Sequence, residues 1–135
     1  MKGKKAQPVS KRVLIIDDED VVRESFVLAF KDTDYEADGA ESGEKGIELL
    51  RNTKYDLIFL DLKMPVMNGV ETLREIHKLD KEAPVFIVTA FHEEFLGKLS
   101  ELEKDKISFE VVRKPIGKNE ITLIAGSVLS GPVAL

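Results

Sequence analysis

The chain has 135 residues and a formal net charge of -5, and 43% of its residues are apolar while 33% are charged. This length suits one domain with its own core, and the composition excludes an intrinsically disordered chain. The chain has no cysteine and therefore no disulfide framework, and its apolar runs are too short to span a membrane. Its net negative charge disfavours nucleic acid as a partner. We therefore expect a cytoplasmic protein that contacts neither membrane nor nucleic acid.

The two ends of the chain differ from its middle. A basic cluster surrounds Pro8 before the first apolar run and comprises Lys2, Lys4, Lys5, Lys11 and Arg12. At the other end, Gly131-Pro132 is a pair that stops a helix. We therefore expect a flexible basic arm over residues 1–10, one folded domain over residues 11–129 and a tail over residues 130–135.

The first part of the chain predicts two strands that alternate with two helices. The apolar run 13–16 is continuous, which is typical of a parallel strand buried on both faces. A helix that Asp18 or Glu19 can cap is predicted next, from apolar positions on one helical face: Val22, Phe26, Ala29 and Phe30. Residues 35–40 are half polar and suit an edge strand, and Ser42 is expected to cap a second helix.

The remainder of the chain repeats this alternation three times. Apolar strands are predicted over residues 56–60, 84–89 and 109–112. Pro65 blocks further strand pairing, so a loop must precede the third helix. Three helices are predicted from apolar positions at helical spacing, which are Val70, Leu73 and Ile76 in the third, Phe95, Leu99 and Leu102 in the fourth, and Ile121, Ile124, Ala125 and Val128 in the fifth.

Five strands that alternate with five helices predict an α/β fold. Crossovers between parallel strands are right-handed, so the helices cover both faces of a doubly wound sheet. We expect a flavodoxin-like (βα)5 sandwich with a five-stranded parallel sheet in the order 2-1-3-4-5. This order brings the first and third strands together at the centre of the sheet.

Four of the predicted strands end at polar residues that form one chemical set. The first is followed by Asp17 and Asp18, the third by Asp61, the fourth ends at Thr89, and the fifth leads to Lys114. Ligands of open parallel sheets bind outside the carboxyl ends of the strands. Three carboxylates crowded there repel one another, and an open site of oxygen ligands suits Mg²⁺ shared with phosphate. An Asp can accept a phosphoryl group as the nucleophile, and one Lys and one hydroxyl can stabilise the transferred group.

In order and in context, these residues resemble the receiver domain of two-component response regulators. The motifs are Asp17-Asp18 after an apolar strand, Asp-Leu-Lys-Met-Pro-Val-Met-Asn-Gly over residues 61–69, Thr89-Ala90, and Lys114-Pro115. Taken together they are highly specific. The resemblance implies that residues 11–129 form a receiver domain that accepts a phosphoryl group.

The resemblance also implies a metal site. Asp61 would be the phosphoacceptor and a ligand of Mg²⁺, Asp18 would be a direct ligand, and Asp17 would be a ligand through water. Lys63 would contribute only its backbone carbonyl to the metal.

Further roles implied by the resemblance concern switching and partners. Thr89 would be the switching hydroxyl, and Lys114, joined to Pro115 by a cis peptide, would pair with the phosphoryl group. The donor would be a sensor histidine kinase or a phosphotransfer protein, and the signal would pass to an unknown downstream protein or output domain. The protein would be a monomer or weak dimer, and not an enzyme beyond its own phosphotransfer and dephosphorylation.

The chain departs from the family at one position of the fifth strand. An aromatic residue commonly stands three positions before the Lys of the Lys-Pro pair, and here that position is Val111. Phe109 has the same parity along the strand, and it would substitute if the register shifted.

Two other functions stay open at this point. A pseudo-receiver would bind partners without being phosphorylated. An aspartyl-phosphate phosphatase resembling the haloacid dehalogenases would also combine a strand-end Asp with Mg²⁺, Thr and Lys. Those enzymes carry a second Asp two residues after the nucleophile, where this chain has Lys63.

Overall fold

The computed structural model of the protein describes residues 10–90 and 92–130. The strands are β1 Arg12–Ile16, β2 Glu36–Ala40, β3 Leu57–Leu60, β4 Val85–Thr89 and β5 Glu110–Arg113. All five are parallel and form one sheet in the order β2-β1-β3-β4-β5, which confirms the predicted fold. The predicted arm over residues 1–10 and the predicted tail over residues 130–135 lie outside the described residues, except for Ser10 and Ser130.

Five α-helices connect and follow the strands. They are α1 Asp20–Ala29, α2 Gly43–Asn52, α3 Gly69–Leu79, α4 Leu96–Lys104 and α5 Lys118–Leu129, and a short 3-10 helix, His92–Phe95, precedes α4. Ser42 caps α2 as predicted, because its hydroxyl accepts the backbone N–H of Lys45 at 3.1 Å. Within residues 10–90 and 92–130, none of these helices has both the length and the apolar content needed to cross a membrane.

The sheet separates two apolar cores. On one face α2, α3 and α4 pack on strand residues such as Ile16 and Leu60. On the other face α1 and α5 pack on strand residues such as Ile15 and Phe59. Consecutive residues of each central strand therefore enter different cores, as expected for a strand covered on both sides.

The register of the sheet aligns the carboxyl ends of the strands. Ile16 of β1 is paired with Leu60 of β3, and the backbone N–H of Asp61 donates to the carbonyl of Ile16 at 2.9 Å. Thr89 of β4 lies beside Arg113 of β5. The residues that follow β1, β3 and β5 consequently meet at one edge of the sheet.

Some strand boundaries differ slightly from the predicted ones. β3 begins at Leu57 rather than residue 56, since the carboxylate of Asp56 accepts the backbone N–H of Arg12 at 2.9 Å and ties that residue to the start of β1. β5 covers Glu110–Arg113 rather than 109–112, so Phe109 lies outside the strand.

Candidate functional site

Three carboxylates meet at the carboxyl edge of the sheet. Asp17 and Asp18 follow β1, Asp61 follows β3, and each offers an oxygen within 4.8 Å of the others. Asp17 and Asp61 are buried, with 2% and 7% of their surface exposed, whereas Asp18 is exposed. The cluster is thus fixed by the sheet on its inner side and open to solvent at Asp18.

Lys114 extends from the end of β5 into this cluster. Its ammonium donates to Oδ2 of Asp17 at 2.9 Å, and it lies 3.5 Å from Oδ1 of Asp61 and 3.7 Å from Oε1 of Glu19. The peptide between Lys114 and Pro115 is cis, as predicted. A single ammonium therefore partners two buried carboxylates.

The charges of the cluster shift two pKa values. Burial, and then the negative charge of Asp17, raise the pKa of Asp61 to about 6, although Lys114 opposes this shift. Burial lowers the pKa of Lys114, but the hydrogen bond to Asp17 and the charges of Asp61 and Asp17 outweigh it, so its pKa is raised. Lys114 is therefore a cation at neutral pH, and Asp61 is a carboxylate held ionised at an energetic cost.

The oxygen ligands of this site fit Mg²⁺. Three close carboxylates with an open side are the hard, oxygen-only donors that this cation takes. A cation would also offset the burial and the charge of Asp17 that raise the pKa of Asp61. A cavity of about 250 Å³ opens above the carboxylates and is lined by Asp18, Glu19, Asp61, Lys63, Ala90 and Lys114. The same cavity therefore offers room for a phosphoryl group beside the cation.

The remaining candidate residues lie at the end of β4 and in the loop that follows β3. Thr89, the last residue of β4, is fully buried. Lys63 is exposed, and its ammonium is ion-paired with Oε2 of Glu94 at 3.3 Å, and a cationic ammonium cannot bind a metal ion. That geometry leaves its backbone carbonyl as the group with which Lys63 could bind a metal.

The loop from Asp61 to Gly69 follows a sharply constrained path. Gly69 donates its N–H to the carbonyl of Leu62 at 2.8 Å, and a Cβ at Gly69 would lie 2.3 Å from the carbonyl oxygen of Asp61. Between them, Met67 donates its N–H to the carbonyl of Pro65 at 2.8 Å, and Val66 has a φ of 68°. Val66 thus has a positive φ at the centre of a classic γ-turn, a strained conformation in which a β-branched residue is rare.

The expected capping of α1 by Asp18 or Glu19 is wrong. Glu19 occupies the N-cap position, but no side-chain capping bond is formed there. Instead Oδ1 of Asp17 accepts the backbone N–H of Glu19 at 2.9 Å, and the Glu19 carboxylate turns toward Lys114.

Two residues at the site were missed from the sequence. Glu19 lies near Lys114, and Arg23 donates from its guanidinium to the backbone carbonyl of Asp17 at 2.7 Å. An acidic residue before a helix and an arginine within it are ordinary features, so no pattern singles them out.

The fifth strand shows no shift that would replace Val111 by Phe109. Val111 is paired with Ile87, and 38% of its surface is exposed. Phe109 precedes β5 and packs, partly buried, against the core on the α2, α3 and α4 face. The aromatic side chain therefore lies at the opposite end of the strand from Lys114.

The chain resembles known proteins over most of its length. A family model described as the response regulator receiver domain matches residues 13–125. The regulatory protein AtoC of Escherichia coli K12 is 31% identical over 121 residues, which make up 87% of this chain and 25% of AtoC. The chain spans between 25% and 34% of the length of the first curated relatives that it matches.

Solved structures resemble this fold as well. The response regulator TrrA from Thermotoga maritima, in complex with Mg²⁺ and BeF, is 32% identical with a TM-score of 0.74, and the match covers 88% of this chain and 99% of TrrA. A CheY-like receiver domain protein from Methanospirillum hungatei JF-1 has a TM-score of 0.81 at 24% identity, with 90% and 95% of the two chains covered. The second likeness concerns the fold alone.

Proposed function

The chain belongs to the family of response regulator receiver domains of two-component signalling, and we propose that it accepts a phosphoryl group on Asp61. The donor is the phosphohistidine of a sensor histidine kinase or of a phosphotransfer protein, since receiver domains interact with histidine kinases. The observation that carries the proposal is the meeting of Asp17, Asp18 and Asp61 around one cation-sized gap with Lys114 beside them.

Asp61 is the nucleophile in this proposal. One of its carboxylate oxygens attacks phosphorus, the bond from phosphorus to the donor imidazole breaks, and the imidazole leaves with the electron pair of that bond. The attack needs the ionised carboxylate, and a pKa of about 6 leaves most of Asp61 ionised at neutral pH. The transferred phosphoryl group brings further negative charge into the cluster, so cationic groups must neutralise it.

Lys114 and Thr89 stabilise the transferred group. Lys114 already lies 3.5 Å from Oδ1 of Asp61, so it can pair with a phosphoryl oxygen with little movement. Thr89 ends β4 at the same edge of the sheet and supplies a hydroxyl donor. Positioning and charge neutralisation of this kind supply most of the catalysis in phosphoryl transfer.

Asp17, Asp18 and Asp61, together with the carbonyl of Lys63, are the residues that would hold Mg²⁺. When bound, the cation neutralises charge on the carboxylates and on the phosphoryl oxygens. The exposed position of Asp18 leaves the side toward solvent open for water and phosphate ligands. Asp17, held by Lys114, contributes through water, as the resemblance implies.

Phosphorylation adds negative charge beside Lys114 and Thr89 and biases a surface that a downstream protein or output domain reads. Its proposed activity is limited to phosphotransfer onto its own Asp61 and to dephosphorylation of that residue. Its proposed state in solution is a monomer or weak dimer.

The test is labelling by a small phosphodonor. Purified protein is incubated with acetyl phosphate, with and without Mg²⁺, and the gain of one phosphoryl group is followed by intact-protein mass spectrometry. We expect labelling that requires Mg²⁺ and disappears in Asp61→Asn. Asp34→Asn, at an exposed turn before β2, makes the same chemical change away from the site and should label normally. Full labelling of Asp61→Asn would overturn the acceptor assignment.

The alternative functions have less support. A pseudo-receiver needs no acid cluster, and unchanged NMR spectra on adding beryllofluoride and Mg²⁺ would favour it. A haloacid dehalogenase-like phosphatase needs an acid two residues after Asp61, whereas Lys63 stands there and turns toward Glu94. Multiple turnover on a small phosphomonoester would support the phosphatase function.

A further inference from the structure

Arg23 joins α1 to the turn that carries two of the metal ligands. It is the fourth residue of α1, and one guanidinium nitrogen donates to the backbone carbonyl of Asp17 at 2.7 Å. Its other terminal nitrogen is ion-paired with Oδ1 of Asp20. Only 18% of the Arg23 side chain is exposed, which is unusual for an arginine on a surface helix.

The stem of Arg23 rests on β2. A Cβ at Gly39 would lie 3.3 Å from Cδ of Arg23, so the glycine leaves room for the stem to pass over the edge strand. The packing of the stem consequently aims the guanidinium at Asp17, and Asp20 pairs with it on the solvent side. Such a two-sided arrangement uses the planar, fork-like donors that distinguish arginine from lysine.

Every polar group of Asp17 has a partner. Its N–H donates to the carbonyl of Ala40 at 3.1 Å, and its carboxylate accepts from Glu19 and from Lys114, both at 2.9 Å. Its carbonyl is held by Arg23. That carbonyl belongs to the peptide that links Asp17 to Asp18, so Arg23 fixes the plane from which Asp18 departs.

We propose that Arg23 is a positioning residue for the metal site, which orients the exposed ligand Asp18 by holding the carbonyl of Asp17. The inference rests on the proposed Mg²⁺ site. Groups that orient ligands from behind commonly change metal affinity by about tenfold or more when they are removed. Arg23 touches neither the metal nor the phosphoryl group in this role.

Electrostatics alone predicts the opposite effect. Arg23 is a cation close to a cation site, so removing its charge would strengthen Mg²⁺ binding if charge were all that mattered. Loss of positioning instead weakens binding. The direction of the change therefore separates the two explanations.

The experiment compares four variants with the wild-type protein by calorimetric titration with Mg²⁺. Arg23→Met keeps most of the stem and removes the donors, while Arg23→Lys keeps the charge and loses the fork. Asp20→Asn removes the ion pair but leaves the bond to Asp17. Arg51→Met makes the same change of charge as Arg23→Met at an exposed position in the last turn of α2.

We expect Mg²⁺ affinity to fall about tenfold in Arg23→Met and severalfold in Arg23→Lys, with little change in Asp20→Asn and Arg51→Met. In acetyl phosphate labelling, the Mg²⁺ concentration for half-maximal rate should rise in Arg23→Met while the rate at saturating Mg²⁺ is kept. A purely structural defect would lower the saturated rate or the folded fraction, which urea unfolding without Mg²⁺ measures.

Equal or tighter Mg²⁺ binding by folded Arg23→Met would overturn the inference while leaving the proposed function intact. If Arg23→Met does not fold, the Mg²⁺ affinity of Arg23→Lys is measured instead. An affinity equal to that of the wild type would then overturn the inference. Failure of the wild-type protein to bind Mg²⁺ would instead overturn the metal site of the proposed function, and this inference with it.

Discussion

The ammonium of Lys114 is hydrogen-bonded to Oδ2 of Asp17 at 2.9 Å, although 97 positions separate the two residues in the chain. The bond joins the ends of the central strand β1 and the edge strand β5 across the candidate site. Because Asp17 is only 2% exposed, a mutation that removes the ammonium of Lys114 would leave the Asp17 carboxylate buried without this partner.

Lys114→Met is expected to lower the free energy of unfolding in metal-free buffer. The substitution leaves Asp17 and Asp61 buried without their cation, at a cost of about 1–3 kcal/mol. Urea unfolding in EDTA measures the loss, and Mg²⁺ should restore part of it because a divalent cation replaces the missing charge. Lys98→Met, on the exposed face of α4, is the control. A variant as stable as wild type in EDTA would contradict this prediction.

Asp61→Asn is expected to stabilise the metal-free protein at pH 7. The pKa of Asp61 is raised from 3.8 to about 6, so keeping it ionised in the folded state costs about 1–3 kcal/mol. Urea unfolding in EDTA should show the gain, and saturating Mg²⁺ should reverse the order by stabilising the wild type. The idea fails if Asp61→Asn is the less stable protein in EDTA.

The stability difference between wild type and Asp61→Asn is expected to depend on pH. A carboxyl whose folded pKa is raised contributes stability below its unfolded pKa of 3.8 and loses it as the pH rises through about 6. The advantage of Asp61→Asn in EDTA should therefore grow between these two values and level off above them. Unfolding curves at several pH values check this, and a constant difference would argue against the shifted pKa.

Val66→Asn is expected to stabilise the protein. Val66 has a φ of 68° and is 91% exposed. Its backbone is therefore strained, and its side chain makes little packing contact that would offset the strain. Asn tolerates this conformation better, and we expect a gain of about 1 kcal/mol in the free energy of unfolding. Val21→Asn, on α1 with 76% of its surface exposed, has ordinary helical backbone and should show no gain. Equal effects of the two changes would contradict the role of the γ-turn.

Gly69→Ala is expected to disturb the acceptor loop. Its Cβ would lie 2.3 Å from the carbonyl oxygen of Asp61 and 2.7 Å from Cα of Leu62, so backbone must move. We expect a loss of about 2 kcal/mol or more in stability and slower acetyl phosphate labelling. Gly97→Ala, in α4 with open space around its Cβ, should instead gain about 0.5–1 kcal/mol. Normal labelling of Gly69→Ala would show that the loop accommodates the methyl group.

Much of the fold could be predicted because its strands are simple patterns. A continuous apolar run that stops at Asp17 or Asp61 marks both the strand and its end, and the strand order then brings those ends together. Ser42 caps its helix because its hydroxyl bonds locally, within three residues. Patterns whose energy is local, or repeated along one element, are readable in this way.

The features that escaped prediction depend on contacts between elements. Glu19 forms no capping bond, and its carboxylate lies instead 3.7 Å from the ammonium of Lys114, which another element supplies. Arg23 donates to the backbone carbonyl of Asp17 in the turn before α1. Every residue has a backbone carbonyl, so no sequence pattern predicts this hydrogen bond. The left-handed Val66 is hidden because its conformation comes from the closure of the loop around it rather than from its own preference.

The division of the sheet between two cores has a thermodynamic consequence for the site. Ile15 and Ile16 before Asp17, and Phe59 and Leu60 before Asp61, enter opposite cores in pairs, so each carboxylate follows a backbone that is clamped from both sides. The conformational entropy of these strand ends is therefore lost when the chain folds and not when a ligand arrives. The proposed cation would therefore bind at Asp17 and Asp61 with little ordering cost, and the remaining cost would fall on the exposed turn at Asp18.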